Sequence, residues 1–354
     1  MWKRFHQSCP ALLTSLLSPL LQYGHHPSSL KKANGIVLNK PGKASYDTPA
    51  SFRVIVLLET LSKILERVMA SRLSLLARHV GLLHPHHTGS LPGLSTFDAT
   101  STISYEVRLL PRLGSKVSSL FLDVKGGFDN VDPGQLTSAL QAKGAHKYLT
   151  AWVGSFLTNR MCKFLFQGSP RIFSPVAVRT PQGSPISPLL FVIYISPLYP
   201  VITKGIVISY VDDVVVTVSS SSHRRNVQLL QGHFHSLCRI AVPRGLTFSI
   251  PKPDLIHWPT PQERSPLSKA GVRLDDLYFS PKDKVRWLGY WFTPSLSPNA
   301  HFSKRLSLAQ GALATIKRLS LPRVKAFLHI SATGWPPPFS PPSFYMMRTY
   351  IPPL

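Results

Sequence analysis

The segment GIVISYVDDVVVTVS at 205–219 sets two adjacent aspartates, Asp212 and Asp213, inside one of the most apolar stretches of the chain. Apolar runs at 206–210 and 214–218 flank the pair, so the pattern predicts a β-hairpin whose tip carries both carboxylates. Like charges side by side in such a setting repel and lose hydration, and a bound divalent cation is the usual compensation. Plain turn chemistry competes with that reading, because Asp is common in turns and a solvated pair needs no ion. A second acidic position bears on the choice. Residues 117–124 (VSSLFLDV) read as a buried strand carrying Asp123, Gly126 and Gly127 turn the chain, and Phe128 closes the turn. Two strand ends that each present carboxylate can hold two Mg2+ ions about 3.5–4 Å apart, the arrangement for phosphoryl transfer. Asp129 and Asp132 follow in the same loop, where turn and cap duties account for them.

Composition narrows the partners. Forty Lys and Arg against 15 Asp and Glu leave a net charge of +25, which favours a polyanion such as nucleic acid. Cys9, Cys162 and Cys238 are too far apart for a zinc ribbon or a disulfide framework, so no zinc is expected. No run of ~20 residues is apolar enough to suggest a membrane span. MWKR followed by ALLTSLLSPLL imitates a signal peptide, but Pro19 interrupts the run and no small-residue cleavage site precedes His25 and His26. The expectation is an intracellular chain, nuclear or cytoplasmic, that starts with a helix packing Leu12, Leu13, Leu16 and Leu17.

Strands and helices alternate irregularly along the sequence, which predicts an α+β fold. Residues 59–80 space Leu61, Ile64, Leu65, Val68, Leu73 and Leu76 as one helix face, with Lys63, Glu66, Arg67 and Arg72 opposite. Asp132 is placed to cap a helix that begins at Pro133 and ends before Gly144. Residues 251–270 read as a Pro-, Ser- and Thr-rich loop, and seven prolines within 336–354 predict a disordered tail.

Five blocks carry a family resemblance: FLDVKGGFDNVD (121–132), TPQGSPISPLLFVIY (180–194), SYVDDVVVTV (209–218), GLTFSIPKPDLIHW (245–258) and VRWLGYWF (285–292). In this order and spacing they resemble the reverse transcriptase of fungal non-LTR (LINE-type) retrotransposons. Residues 36–73 and 88–99 are similar to the family's segments ahead of the palm. The resemblance implies a right-hand polymerase of fingers and palm with a truncated or missing thumb. Its expected division is an N-terminal remnant helix at 1–30, fingers at 31–120, and a palm at 121–292 with an interleaved fingers segment near 145–180. A thumb or connector would start at 293–320, ahead of the tail at 321–354.

It further implies an RNA-directed DNA polymerase that uses an RNA template, a DNA primer, dNTPs and two Mg2+ ions, with Mn2+ able to substitute. Asp123, Asp212 and Asp213 would hold metal together with the main-chain carbonyl of Val124. Phe128 would be the steric gate against a ribose 2′-hydroxyl, and Arg53, Gln182 and Lys252 would contact the nucleotide. Gly183 and Ser184 would line the template side, while Trp287, Leu288 and Gly289 resemble a primer grip. Each position also has a plainer role. Phe128 could be a core aromatic, Arg53 and Lys252 solvated charges, Gln182 a loop amide, and Trp287 and Trp291 packing residues.

The sequence departs from the family's pattern at Arg179 (usually Gly), Gly127 (usually Ala), Leu94 (usually Arg) and Lys252-Pro253-Asp254 (usually Lys-Thr-Glu), changes that read as drift. A second reading is therefore carried alongside the enzyme: a non-catalytic, nucleic-acid-binding relic of a retrotransposon polymerase.

Overall fold

The computed structural model describes residues 10–42, 45–48, 51–125, 127–166, 169–170, 173–175, 180–249, 252–263 and 268–319. Arg179 and the Pro-rich tail lie outside the described residues. In chain order the first half gives α1 (Pro10–Gln22), β1 (Lys32–Asn39), β2 (Phe52–Leu58), α2 (Thr60–His79), α3 (Thr96–Arg112), β3 (Lys116–Lys125), α4 (Pro133–Ala142), α5 (Lys147–Leu157) and β4 (Met161–Phe166). There follow the two-residue strands β5 (Ser169–Pro170) and β6 (Ser174–Pro175), then α6 (Ser187–Ile195), β7 (Ile206–Tyr210), β8 (Asp213–Ser220), α7 (His223–Ala241), β9 (Thr247–Phe248) and β10 (Asp254–Trp258). Two small hairpins close the series, β11 (Val272–Leu274) with β12 (Leu277–Phe279) and β13 (Val285–Trp287) with β14 (Tyr290–Phe292), before α8 (Asn299–Leu319). The chain divides into two units, Met1–Ser297 and Pro298–Leu354, of which the second contains α8. No helix among the described residues is long and apolar enough to cross a membrane.

Two sheets organise the first unit. In one, β1 pairs antiparallel with β2 and parallel with β4, and the latter contact joins Lys32 to Met161 across the chain. The other has the order β10–β3–β8–β7, with β9 added beside the end of β3. Alternation along β3 sends Leu120, Leu122 and Val124 to one face and Val117 and Phe121 to the other, and both faces are covered. Leu230 and Phe234 of α7 belong to the first core, and Ile103 and Val107 of α3 to the second. A sheet buried on both faces calls for near-continuous apolar strands, which is why 117–124 and 214–218 read as they do. Helix α6 is apolar around its whole circumference and buried throughout, so it has no water-facing side to pattern.

Several local expectations change. On α1, Leu13 and Leu17 are buried together with Leu21, whereas Leu12 and Leu16 face solvent: the packed stripe follows every fourth residue. Glu66 of α2 does not share an exposed face with Arg67 and Arg72 but is fully buried, while Val68 is exposed. The stretch read as a loop at 251–270 contains β10, whose Leu255, Ile256 and Trp258 are wholly buried against β3. Pro253 and Pro259 obscure that strand in the sequence, yet they flank it and so cost the ladder nothing. The cap at Asp132 forms as its pattern requires: its carboxylate accepts the Gln135 amide at 2.8 Å, with Pro133 at the first helical position.

Candidate active site

The hairpin β7–β8 turns through Val211 and Asp212, so Asp213 opens β8 opposite Tyr210 rather than sharing the tip. Val211 takes φ +56°, a left-handed conformation that is strained for a β-branched residue. Neighbouring backbone holds it there. Residues 86–89 brace β7 through Ser209 N–H to His86 O (3.2 Å) and Thr88 N–H to Ser209 O (3.0 Å). His87 Nδ1 lies 2.6 Å from Ser209 Oγ. Gly89 presses on the turn so closely that a Cβ there would meet Val211 N at 2.6 Å.

Register then sets the acidic residues. Antiparallel pairing of β3 with β8 puts Asp123 directly opposite Asp213, and the Val124 amide donates to Asp212 O at 3.0 Å. The Ser249 amide donates to Asp123 O at 2.8 Å, the Lys252 amide donates to Ser249 O at 3.1 Å, and Lys252 Nζ lies 3.7 Å from Asp123 Oδ2. That lysine is largely exposed, so the pair adds little stability. Burial pushes the Asp213 carboxyl up to about 7, helped by Asp212 and Asp123 and opposed by Lys252. Burial raises Asp212 as well, with Asp123 adding to the shift.

A cavity of about 550 Å3 opens on this edge, lined by Asp123, Asp212, Asp213, Lys252, Asp254 and Arg286 among others. Asp254 stands out in the sequence only as a departure from the family's pattern, and Lys282 and Arg286 do not stand out at all. Asp254 is the β10 partner of Phe121, and the Lys282 ammonium pairs with its carboxylate. Their signal was present in the Lys-Pro-Asp departure, but the partner lies 28 residues downstream. A second cavity, of about 440 Å3, is lined by Lys40, Arg53, Phe128, Asp129 and Gln182, and it shares Asp212 with the first. The structure thus brings Arg53, Phe128 and Gln182 together beside the aspartates. Val124 borders the same pocket.

The remaining sites fall differently. Gln182 and Gly183 are exposed, but Ser184 is buried and its hydroxyl donates to Glu66. Trp287 is buried against Phe121 and Phe292, so its indole is a core element even though it borders the acidic cavity. Leu288 and Gly289 form the two-residue turn between β13 and β14, both at positive φ.

Gly127 is fitted rather than drifted. A Cβ at this position would lie 2.4 Å from the Phe191 ring, which is fully buried and packs at 5.2 Å against Phe128. Gly127→Ala should therefore cost about 1–3 kcal/mol through overpacking, read as a lower denaturation midpoint, and Phe191→Leu in the same chain should recover most of the loss.

Hard oxygen donors on two facing strands, with the Asp212 and Asp213 carboxyls raised first by burial and then by neighbouring negative charge, suit a divalent cation. Among the described residues, no three His, Cys, Asp or Glu side chains close on a single point. The aspartates instead line a cleft shared with Lys252.

A sheet in an α+β fold with aspartates on its two central strands, and a pocket lined by Lys40 and Arg53 alongside, has the arrangement of a polymerase-type palm. The chain belongs to the reverse transcriptase (RNA-dependent DNA polymerase) family, whose model matches residues 38–292. It is similar to the RNA-directed DNA polymerase from mobile element jockey of Drosophila melanogaster, 24% identical over 348 residues, covering 96% of this chain and 37% of that protein. It is also similar to the probable RNA-directed DNA polymerase from transposon X-element of the same fly, 27% identical over 215 residues, covering 59% of this chain and 23% of that protein. The chain thus spans about a quarter to a third of the length of these relatives. Among solved structures, apo telomerase from Candida tropicalis truncated from its C-terminal domain aligns with a TM-score of 0.52 at 12% identity, covering 82% of this chain and 59% of that one. That likeness concerns the fold.

Proposed function

We propose that this chain is the fingers and palm core of an RNA-directed DNA polymerase from a non-LTR retrotransposon, extending a DNA primer on an RNA template. In this reading the β2–β1–β4 sheet belongs to the fingers and the β10–β3–β8–β7 sheet to the palm. The fungal host suggested by the motifs is part of the proposal, since the relatives described above are insect elements. The observation that carries it is the in-register pair Asp123 and Asp213, with Asp212 shared between the acidic cleft and the Arg53–Phe128–Gln182 pocket.

Asp123, Asp212 and Asp213, with the Val124 carbonyl, would hold two Mg2+ ions, or Mn2+ in their place. When bound, the metal supplies activation of a primer 3′-hydroxyl and neutralises the departing pyrophosphate. The protein's own part is positioning. Arg53 offers a guanidinium to the triphosphate. Phe128, packed at a tilt against Phe191, would occupy the space that a ribose 2′-hydroxyl needs, and Gln182 borders the same pocket. Lys252, whose ammonium lies beside Asp123, would serve as a proton donor to the leaving pyrophosphate.

The test is hybrid binding with a chain-terminated primer at fixed salt, with and without the next dNTP and Mg2+. Selective tightening by the matched dNTP, with extension on an unblocked primer, supports a polymerase. Equal affinity with matched and mismatched dNTPs would leave a binding relic, because charge alone gives salt-dependent affinity without such coupling. Running the extension with rNTPs reads the gate: Phe128→Ala should relax sugar discrimination by on the order of tenfold or more.

A further inference from the structure

Glu66 is a fully buried carboxylate that forms no salt bridge among the described residues, although the buried Arg160 lies close enough to feel its charge. Burying an anion this way is expensive, and an apolar side chain of similar size would serve packing better. Its partners suggest what it does instead. Ser62 donates to Oε1 and Ser184 to Oε2. By accepting through Oε2, it fixes the Ser184 hydroxyl as a donor toward itself and leaves the hydroxyl lone pairs for backbone amides. The Ile186 and Ser187 amides lie 3.3 Å from that oxygen, at the start of α6.

The loop so anchored is the one that carries Gln182. Its other ties run to the elements that bear the rest of the nucleotide pocket. The Val56 amide of β2, the strand of Arg53, donates to Gln182 O at 2.9 Å. Thr180 N–H donates to Phe128 O at 3.3 Å. Gly183 takes φ +116°, pressed so closely on β2 that a Cβ would stand 2.6 Å from Val56 O. Gln182 is thus held from both sides, and the Glu66 link is the one made by a side chain from a separate helix.

We propose that Glu66 is a positioning residue for nucleotide selection: through Ser184 it sets the loop that places Gln182 beside Arg53 and Phe128. This rests on the polymerase reading above. The prediction is specific to the link toward the loop, since Ser62 occupies the other oxygen and, through a 3.3 Å contact with His26, faces away from it.

The experiment compares Glu66→Ala, Ser184→Ala, the double variant, Glu66→Gln and Ser62→Ala by dNTP titration in primer extension and by amide hydrogen exchange of residues 180–187. Glu66→Ala and Ser184→Ala should each raise KM for dNTP by about tenfold with kcat within about twofold, and the double should be no worse than either. Glu66→Gln, which keeps an acceptor oxygen, should recover most of the loss. Ser62→Ala should leave KM unchanged, whatever it costs in stability. Exchange at 180–187 should quicken in the first three variants and not in Ser62→Ala. An unchanged KM in folded Glu66→Ala, additive effects in the double, or an equal KM rise in Ser62→Ala would each overturn the proposal. If Glu66→Ala does not fold, Ser184→Ala and Glu66→Gln carry the same comparison. A wild-type chain inert in extension would count against the polymerase reading, and the exchange arm would still decide whether the anchor exists.

Discussion

Asp213→Asn should reduce nucleotide incorporation by about 10³-fold or more while raising the melting temperature of the metal-free protein at pH 8 by about 2–4 °C. The two effects have one origin. Asp213 faces Asp123 across the β3–β8 ladder and follows Asp212, and burial with these neighbours lifts its carboxyl to about 7. A carboxyl whose folded pKa lies above its unfolded value stabilises the fold when protonated, and that contribution is lost as pH rises from ~4 through about 7. By pH 8 the charge is present and opposes folding, and Asn removes it. The two proteins should therefore melt alike near pH 4, diverge as pH rises toward 7 and stay apart above it. Mg2+ should raise the melting temperature of the wild type and leave the variant nearly unmoved. Differential scanning calorimetry across pH, paired with single-nucleotide extension, measures both sides. A variant that extends primers within about twofold of wild type would remove Asp213 from the site.

The second large effect is acid instability. His26, His87 and His257 are buried and neutral in the fold, with imidazole pKa values lowered to about 3, about 4 and about 4. Burial is the main cause in each, and for His26 the Arg160 and Lys31 charges add to it. Below the unfolded value of ~6.5 the unfolded chain takes up protons that the fold refuses, so stability falls as pH drops from 6.5 toward 4. Each imidazole contributes on the order of 2–3 kcal/mol over that interval. The positions are structural: His87 braces Ser209 behind the Val211 turn, and His257 bonds Ser118 Oγ at 2.8 Å and Ala270 O at 2.8 Å. Urea midpoints at pH 7, 5.5 and 4.5 should fall steadily, and a flat profile would mean that these imidazoles are reached by protons in the folded state.

The aspartates were legible because each sits at the end of an apolar strand, where a period-two or continuous pattern stands out locally. Gly127 was legible as a departure but not as a fit, since the ring that fills its missing side chain is Phe191, 64 positions downstream and on another element. Glu66 was misread because helical spacing ranks residues by polarity, and a carboxylate buried on serine hydroxyls looks identical to a solvated one. Residues 254–258 were hidden by the prolines on either side. The parallel joining of β1 to β4 left no local trace at all: its register is fixed by packing between segments 129 residues apart, as 161 − 32 shows.

The pairing of β3 with β8 also governs how the chain is made. Asp123 and Asp213 are separated by 213 − 123 = 90 residues. At ~5–20 residues per second, a ribosome leaves β3 without that partner for roughly 5–18 s. During that interval VSSLFLDV is an unpaired apolar edge, and its later neighbour β10 emerges later still. Slow elongation lengthens this exposure and chaperone binding shortens it, so the yield of soluble protein depends on translation speed and holdase supply before any question of final stability arises.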